Sequence, residues 1–236
     1  MERRQRETAF LGILFTGGDG PEPETVRRLV GSPACSAGGG ALVVAADSGL
    51  ALAEAAGVDP YRIIGDMDSP GTEERLLRHE AEKIIRYNTD KDYTDTELAF
   101  DFLRENGCGD IWIIGGGGGR IDHLFGIRDL FERDCFPRRW VTAAEDIRCV
   151  DAAQGASVLE ECAERGSLVS VFPLGDGPWK AESRGLQWSL NDVRWKRGLY
   201  GLSNVAVADE IAIHVVRGRF MVIFPWGERG CNGGCY

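Results

Sequence analysis

Several sequence signals are missing from this chain of 236 residues. No apolar stretch approaches the roughly 20 residues that a membrane-spanning helix needs, so we expect no membrane partner. The apolar run FLGILF (10–15), which follows a charged start, is too short for a secretory signal and precedes no small-residue cleavage site. The start therefore predicts a tail and a first strand in a cytoplasmic protein.

The chain also lacks CxxC cysteine pairs and an excess of basic residues. The seven cysteines include no CxxC pair, which argues against a disulfide framework and a zinc ribbon. The CNGGCY ending predicts a solvated tail, with a thiol pair or a disulfide as the alternative. The 27 Lys and Arg against 37 Asp and Glu give a net charge of −10, so we expect no nucleic-acid partner, which would need a basic face. A small anionic ligand is compatible if arginine, backbone amides or a metal ion balance its charge.

The pattern of apolar residues divides the sequence into two parts. Residues 1–148 alternate short apolar runs with amphipathic stretches such as PETVRRLV and DTELAFDFLREN. The runs predicted as strands are 10–15, 41–46, 61–65, 83–87, 110–115 and 139–144. Continuous apolar strands that alternate with helices predict an α/β domain with a mainly parallel sheet and helices on both faces.

Residues 149–236 lose the helical pattern. Their apolar runs are separated by Gly and Asn turns and predict a small all-β domain. The predicted β segments are 167–175, 179–190, 210–218 and 219–226. The Arg-Gly pair at 217–218 predicts a hairpin between the last two.

Polar residues directly follow four of the predicted strands. Asp47 follows the second strand, and the stretch GDMDS carries Asp66 and Asp68 after the third. The fourth strand is followed by Asp90, Asp92 and Asp95, and the fifth by a run of five glycines and then Arg120, Asp122 and His123. Ligands of open α/β sheets bind at the carboxyl ends of the strands. If the strands are parallel, all four clusters lie on one edge of the sheet.

Each cluster also has a structural interpretation. Asp47 could simply cap a helix, and Thr94 with Glu97 matches a capping box. The glycine run could be a flexible loop, but a glycine run before a helix that opens with Arg and Asp is also typical of a phosphate-binding loop. The chain lacks GxxxxGK[ST], which excludes a P-loop.

Together the clusters favour a metal–nucleotide site. Several carboxylates on one edge repel each other, and a divalent cation relieves that repulsion. Oxygen ligands without a His/Cys cluster favour Mg²⁺ or Mn²⁺ over zinc, and Mg²⁺ usually also holds substrate phosphates.

The spacing of Asp66 and Asp68 sets a geometric condition. Residues two apart in a strand share a face but stand about 6–7 Å apart. We therefore expect the chain to leave the extended conformation between them, with Gly65 and a turn at Ser69 allowing it.

An ordered set of motifs resembles the thiamine pyrophosphokinase family. The motifs are ADSGL (46–50), GDMDS (65–69), DKDYTDTELA (90–99), GGGGGRIDH (115–123), GLQW (185–188), GLSN (201–204) and HVVRGRFMVIF (214–224). The resemblance implies a catalytic, ATP-binding α/β domain over 1–148 and a thiamine-binding β-sandwich over 149–236, in a homodimer whose active site lies at the subunit interface. The implied reaction moves the β,γ-diphosphoryl group of ATP to the thiamine hydroxyl and releases AMP.

The resemblance also implies roles for individual residues. Mg²⁺, or Mn²⁺, is expected on Asp66, Asp68 and Asp92, which with Asp95 form the expected catalytic group. The expected ATP-binding residues are Asp47, Ser69, Asp90, Lys91, Gly116, Gly117, Gly118, Gly119, Arg120, Asp122 and His123. The expected thiamine contacts are Asp95, Trp188, Ser203 and Asn204, although Trp188 could instead belong to the sandwich core.

Three other functions remain open. The protein could be a pyrophosphokinase for another heteroaromatic alcohol, such as a hydroxymethylpterin. It could be a Mg²⁺-dependent phosphohydrolase. It could also be a nucleotide-sensing or thiamine-binding protein without catalytic activity.

Overall fold

A computed structural model describes residues 10–32, 40–153 and 157–225. The chain divides into two compact units, Met1–Ala143 and Ala144–Tyr236. The CNGGCY ending and Trp226 lie outside the described residues. None of the helices in the described ranges is long and apolar enough to cross a membrane.

The described part of unit 1 (residues 1–143) contains a six-stranded parallel sheet. Its strands are β1 (Phe10–Thr16), β2 (Leu42–Ala46), β3 (Arg62–Gly65), β4 (Ile84–Arg86), β5 (Cys108–Gly115) and β6 (Arg139–Val141). Its helices are α1 (Pro23–Val30), α2 (Leu50–Ala55), α3 (Thr72–Leu76), α4 (Asp95–Glu105) and α5 (Ile121–Leu130). The strand order is β6-β5-β1-β2-β3-β4, and every neighbouring pair is parallel, as predicted.

Helices cover both faces of this sheet. Phe15 of β1 belongs to a core cluster with Val26 of α1 and Leu50 of α2. Gly12 faces the opposite way, because a Cβ placed there would lie 3.1 Å from the side chain of Leu103 in α4. Side chains alternate along a strand, so α1 and α2 pack on one face and α4 on the other. The predicted α/β architecture is confirmed.

The order of strands reverses at β1, since β2, β3 and β4 lie on one side of it and β5 and β6 on the other. The carboxyl ends of β1 and β5 therefore flank a topological switch point, where ligands bind in open α/β sheets. Because the strands are parallel, the four predicted polar clusters follow strand ends at the same edge, as expected.

The described part of unit 2 (residues 144–236) consists of two antiparallel sheets. Its strands are β7 (Glu145–Asp151), β8 (Val158–Cys162), β9 (Leu168–Leu174), β10 (Lys180–Arg184), β11 (Gly201–Val205), β12 (Glu210–Arg217) and β13 (Arg219–Pro225). One sheet has the order β11-β9-β13-β7 and the other β10-β12-β8. Val171 and Phe220 of the first sheet and Ile213 of the second belong to one buried cluster, so the sheets form a sandwich around a shared core.

The predicted hairpin between β12 and β13 is wrong. The two strands lie in different sheets, and Gly218 between them has φ +81°. Val215 of β12 and Val222 of β13 belong to the same core cluster. The turn therefore carries the chain across the core, where the apolar sides of both strands are buried, instead of pairing the strands edge to edge.

The predicted capping box at the start of α4 is confirmed. The Thr94 amide donates to Glu97 Oε2 at 2.9 Å, and the Glu97 amide donates to Thr94 Oγ1 at 3.2 Å. These bonds satisfy two backbone donors that a helix start otherwise leaves open. They also fix the position of Asp95, the first residue of the helix, at the edge of the sheet where the parallel strands end.

Replacing Thr94 by Ala is expected to lower the free energy of unfolding by about 1 kcal/mol, because the cap is lost. Urea denaturation followed by circular dichroism measures the change. Thr25→Ala in α1 is the matched control: Thr25 Oγ1 only accepts an exposed 3.4 Å bond from Arg28, so a change within about 0.5 kcal/mol is expected. Equal losses in the two variants would contradict a stabilising role for the box.

Candidate active site

Asp47 is a buried carboxylate at the carboxyl end of β2. Its residue is 7% exposed, and Oδ2 accepts a hydrogen bond from Ser69 Oγ. Oδ1 is also buried and, within the described residues, has no hydrogen-bond partner. A buried carboxylate oxygen without a partner is unfavourable unless a cation or a donor binds it. Asp47 Oδ1 therefore points to a ligand-binding position.

Gly65, the last residue of β3, allows two acids to approach each other. A Cβ placed on Gly65 would lie 3.1 Å from Asp47 Cβ and 3.1 Å from Asp95 Cγ. That spacing is too tight for an ordinary side chain. The glycine of GDMDS therefore makes room for the carboxylates that follow β2 and open α4.

The turn between Asp66 and Asp68 is made by Met67. Met67 has φ +64°, the left-handed region that non-glycine residues rarely adopt. Its side chain is 3% exposed and belongs to the core cluster that includes Ile63 and Leu76. The Asp68 amide lies 3.4 Å from Asp66 Oδ1. The expected departure from the extended conformation is confirmed. Gly65, which was expected to allow it, has φ +156°, and Met67 adds a left-handed residue that was not part of the expectation.

Strained backbone positions coincide with the predicted motifs. The non-glycine residues with positive φ in the described ranges are Asp47 (+41°), Met67 (+64°) and Ser203 (+54°). They lie in ADSGL, GDMDS and GLSN respectively. Strain of this kind persists where the surrounding structure imposes it and is concentrated at functional sites. The observation supports a functional role for all three motifs.

Lys91 provides positive charge among the acids. Its Nζ lies 2.9 Å from Asp66 Oδ2 and 2.9 Å from Asp95 Oδ1. Burial alone would lower the pKa of Lys91, but its bonds to the two carboxylates raise it above the usual value. Lys91 therefore stays protonated and links the end of β3 to the start of α4.

The carboxylates respond differently to this environment. The hydrogen bond from Lys91 lowers the pKa of Asp66. The negative charge of Asp66, with a smaller contribution from Asp47, raises the pKa of Asp68. Burial raises the pKa of Asp95 although Lys91 opposes it. The structure thus brings Asp47, Asp66, Asp68 and Asp95 together with Ser69 and Lys91.

Asp90 and Asp92 are placed differently. Both are exposed on the connection between β4 and α4, and their side chains form no ion pair or hydrogen bond within the described residues. No group of three or more His, Cys, Asp or Glu side chains in the described ranges is arranged to hold a metal ion. The assignment of Asp92 as a metal ligand stays a prediction.

The glycine run after β5 is tied to the loop after β1. The Gly116 amide donates to Gly17 O at 2.9 Å, and Gly117 and Asp19 exchange backbone hydrogen bonds of 3.0 and 2.7 Å. These bonds hold Gly116 and Gly117 in place, which argues against the flexible-loop interpretation for that part of the run. Since the amides of Gly116 and Gly117 are already used, the exposed amides of Gly118 and Gly119, which have no backbone partner within the described residues, are the ones open to an anion.

The loop after β1 is a part of the site that sequence reasoning missed. Its residues Gly17, Gly18 and Asp19 follow β1 at the switch point and hold the glycine run in place. Thr16 Oγ1, at the end of the same strand, lies 2.6 Å from Thr96 Oγ1 in the first turn of α4. The stretch TGGD could have been found by the rule that identified the other clusters, because it too follows an apolar run.

Arg120 and Asp122 form an exposed pair at the start of α5. Arg120 Nε and Nη2 donate to the two carboxylate oxygens of Asp122 at 3.1 and 2.5 Å. The His123 amide donates to Asp122 Oδ1 at 3.0 Å, and His123 is exposed as well. An exposed ion pair contributes little stability, so the guanidinium can exchange Asp122 for a phosphate group.

The predicted thiamine contacts in unit 2 are built around Asn204. Asn204 is buried; its Oδ1 accepts from the Trp188 amide at 3.1 Å and its Nδ2 donates to Trp188 O at 2.7 Å. Trp188 itself is 57% exposed, so the alternative that it belongs to the sandwich core is wrong. Ser203 is exposed, and its amide donates to Ser170 Oγ at 3.1 Å. Asn204 thus braces a loop that presents an exposed indole ring.

Asp68→Asn and Asp66→Asn should change stability in opposite directions at pH 7. The first removes a carboxylate repelled by Asp66 and should raise the melting temperature; the second removes the partner of Lys91 and should lower it. Differential scanning calorimetry measures both. The same sign for both variants would contradict the charge arrangement.

The changes in melting temperature caused by Asp68→Asn and Asp66→Asn should both shrink at low pH, but for opposite reasons, and calorimetry at a series of pH values measures this. A raised carboxyl pKa means that the repulsion at Asp68 is relieved as the pH falls through that pKa, so wild type and Asp68→Asn should converge. A lowered pKa means that the contribution of Asp66 is present above its usual value near 3.8 and is lost as the pH falls through the lowered pKa.

Comparison with known proteins identifies the family. A family model described as thiamin pyrophosphokinase, catalytic domain, matches residues 39–133, which include all four polar clusters. The thiamine pyrophosphokinase of Bacillus subtilis (strain 168) is 36% identical over 186 residues, which cover 76% of this chain and 81% of that protein.

Solved structures agree on the fold. The crystal structure of thiamine pyrophosphokinase from Bacillus subtilis has a TM-score of 0.69 at 20% identity and covers 92% of this chain and 98% of its own. Thiamin pyrophosphokinase from Candida albicans has a TM-score of 0.65 at 14% identity, with 92% and 89% covered. Because the sequence match to the Bacillus enzyme extends over most of both proteins, the chain belongs to the thiamine pyrophosphokinase family of enzymes.

Proposed function

We propose that this protein transfers the β,γ-diphosphoryl group of ATP to the hydroxyl of thiamine, giving thiamine diphosphate and AMP, in the cytoplasm where ATP is available. The observation that carries the proposal is the buried, unpartnered Oδ1 of Asp47, which lies beside Asp66 and Asp95 in a chain of this family. ATP and a metal ion are assigned to the α/β domain, and thiamine to the β-sandwich.

A hard divalent cation, Mg²⁺ or Mn²⁺, fits the acidic cluster. The donors are carboxylate oxygens, and Asp47 Oδ1 is buried with neither a hydrogen bond nor an ion pair among the described residues. Mg²⁺ in such sites is usually held by one or two carboxylates together with substrate phosphates, so three preassembled protein ligands are not required. Asp66 and Asp68 are the proposed ligands, with Asp47 close by and Asp92 reaching in from its exposed loop. When bound, the ion neutralises charge on the phosphate oxygens.

The phosphates are proposed to lie along the glycine run. The open amides of Gly118 and Gly119 point to this role, and Arg120 adds a guanidinium that its exposed pair with Asp122 holds near the start of α5. Phosphoryl transfer depends mainly on alignment and on stabilising negative charge. A loop fixed by the Gly117–Asp19 bridge supplies alignment without having to be ordered by the substrate.

Asp95 is proposed to orient the acceptor hydroxyl and to take its proton. Its pKa is raised by burial, and a higher pKa makes a carboxylate a stronger proton acceptor. Lys91 and the helix start hold it in place.

Trp188 is proposed to contact the cationic heteroaromatic ring of thiamine. An exposed indole face attracts such a ring through cation–π interaction. Asn204 uses both ends of its amide to hold the backbone of Trp188, so its proposed contribution is to position the indole.

The decisive assay measures AMP formation from ATP, thiamine and Mg²⁺, with each component omitted in turn and the products identified by mass spectrometry. AMP and thiamine diphosphate should form only when all three are present. Transfer to a hydroxymethylpterin but not to thiamine would establish the other pyrophosphokinase. Release of phosphate or diphosphate without any alcohol would establish a hydrolase, and ligand binding without AMP a binding protein.

The variants Asp66→Asn and Asp68→Asn test the proposed metal site in the same assay. Each should reduce turnover by more than about a hundredfold, the scale of removing one strong electrostatic group, while the protein stays folded. Full activity in either variant would remove that residue from the proposed metal site. Lys83→Met, which only breaks an ion pair with Asp59, should leave turnover unchanged.

We further propose that the protein acts as a homodimer in which the acids of one subunit and Trp188 of the other form each active site. Exposed apolar side chains on or next to β9 and β11, Leu168, Tyr200 and Leu202, support an interface there. Asn204 of β11 holds the backbone of Trp188.

Co-expression of Asp68→Asn chains with Trp188→Ala chains tests the shared site. Random pairing should restore about a quarter of wild-type activity, because half of the dimers then contain one intact site out of two. Activity no higher than that of the separate variants would place each site within one subunit.

A further inference from the structure

The position of Lys91 carries an inference about how metal and nucleotide bind. Lys91 lies four residues before Asp95, and its Nζ is 2.9 Å both from Asp95 Oδ1 and from Asp66 Oδ2. The side chain of Lys91 is 15% exposed, and those of Asp66 and Asp95 are 11% and 19% exposed. The ammonium group is thus enclosed between two carboxylates.

The acidic cluster has one such cation for its four carboxylates, those of Asp47, Asp66, Asp68 and Asp95. Among the described residues, Lys91 is the basic side chain that forms ion pairs with Asp66 and Asp95, and no basic side chain forms an ion pair with Asp47 or Asp68. Carboxylates this close repel each other and resist burial, so the ammonium group offsets much of their charge.

A divalent cation and this ammonium group compete for the same carboxylate. If the ion binds Asp66, as proposed above, two cations on one side chain repel each other. An ammonium group displaced from Asp66 loses an ion pair at a site with little solvent. It regains one when a polyphosphate, with several negative charges, binds at the same edge of the sheet.

We propose that Lys91 is a built-in counter-ion that stabilises the acidic cluster in the nucleotide-free protein, is displaced from Asp66 by the metal ion, and then pairs with the polyphosphate. This inference rests on the proposed function, because the proposed function places the metal ion at Asp66. The consequence is positive coupling: the metal ion alone binds weakly because Lys91 opposes it, and metal and nucleotide each favour the binding of the other.

The test measures Mn²⁺ binding to the full chain without nucleotide, by isothermal titration calorimetry. Lys91→Met should bind Mn²⁺ at least about tenfold more tightly than wild type, the low end of the effect of one charge on a neighbouring carboxylate. Lys91→Arg keeps the positive charge and should behave as wild type. An unchanged or weaker affinity in Lys91→Met overturns the proposal.

Lys83→Met is the matched control. Lys83 also pairs with a carboxylate, Asp59 at 2.5 Å, but it precedes β4, at the opposite end of that strand from Lys91. Removing its charge should leave Mn²⁺ affinity unchanged. An increase equal to that of Lys91→Met would show a general effect of net charge and overturn the proposal.

A second measurement uses the wild-type protein, in case Lys91→Met does not fold. Acetylation of lysines by an amine-reactive ester, mapped by peptide mass spectrometry, should proceed faster at Lys91 when saturating Mn²⁺ is added without nucleotide, while labelling of Lys83 stays constant. No change at Lys91 would overturn the displacement.

Neither measurement depends on turnover, so tighter Mn²⁺ binding in a protein that forms no AMP would refute the proposed function alone.

Discussion

The mutual repulsion of the carboxylates that follow β2 and β3 and open α4 is the constraint on which the rest of unit 1 depends. Four acids converge there, and three of them, Asp47, Asp66 and Asp95, are buried or partly buried, which is unfavourable for like charges unless other groups compensate. The fold supplies that compensation locally. Lys91 pairs with two of the acids, Ser69 donates to Asp47, and Gly65 leaves the space in which the side chains meet. The parallel sheet is what fixes this crowding, since parallel strands present their carboxyl ends at one edge.

Much of this arrangement could be predicted from the sequence because it follows from patterns that repeat. Continuous apolar runs separated by amphipathic stretches have few interpretations other than a parallel sheet covered on both faces, and the strand ends then locate the polar residues. The capping box could also be predicted, because Thr94 and Glu97 interact within one turn of helix. These inferences share one property: each depends on residues near each other in the chain.

The inferences that failed depend on residues far apart in the chain. Whether β12 and β13 pair or cross the core is decided by the other strands of the sandwich, and the sequence around Gly218 is compatible with both. β7 and β8 were not predicted, since EDIRCVD and VLEEC carry charged residues that resemble loop sequence. The partners of the glycine run lie about a hundred residues earlier, so nothing local shows that two of its amides are already used.

The left-handed backbone of Met67 limits which residues this position can accept over evolution. Valine, isoleucine and threonine are branched at Cβ and fit φ +64° poorly. Glycine and asparagine adopt that backbone readily but give up the apolar packing beneath the site. What remains is a small set of large apolar side chains that are not branched at Cβ. A position between two acids, with no charge or reactive group of its own, is therefore restricted by its backbone conformation and by its packing in the core.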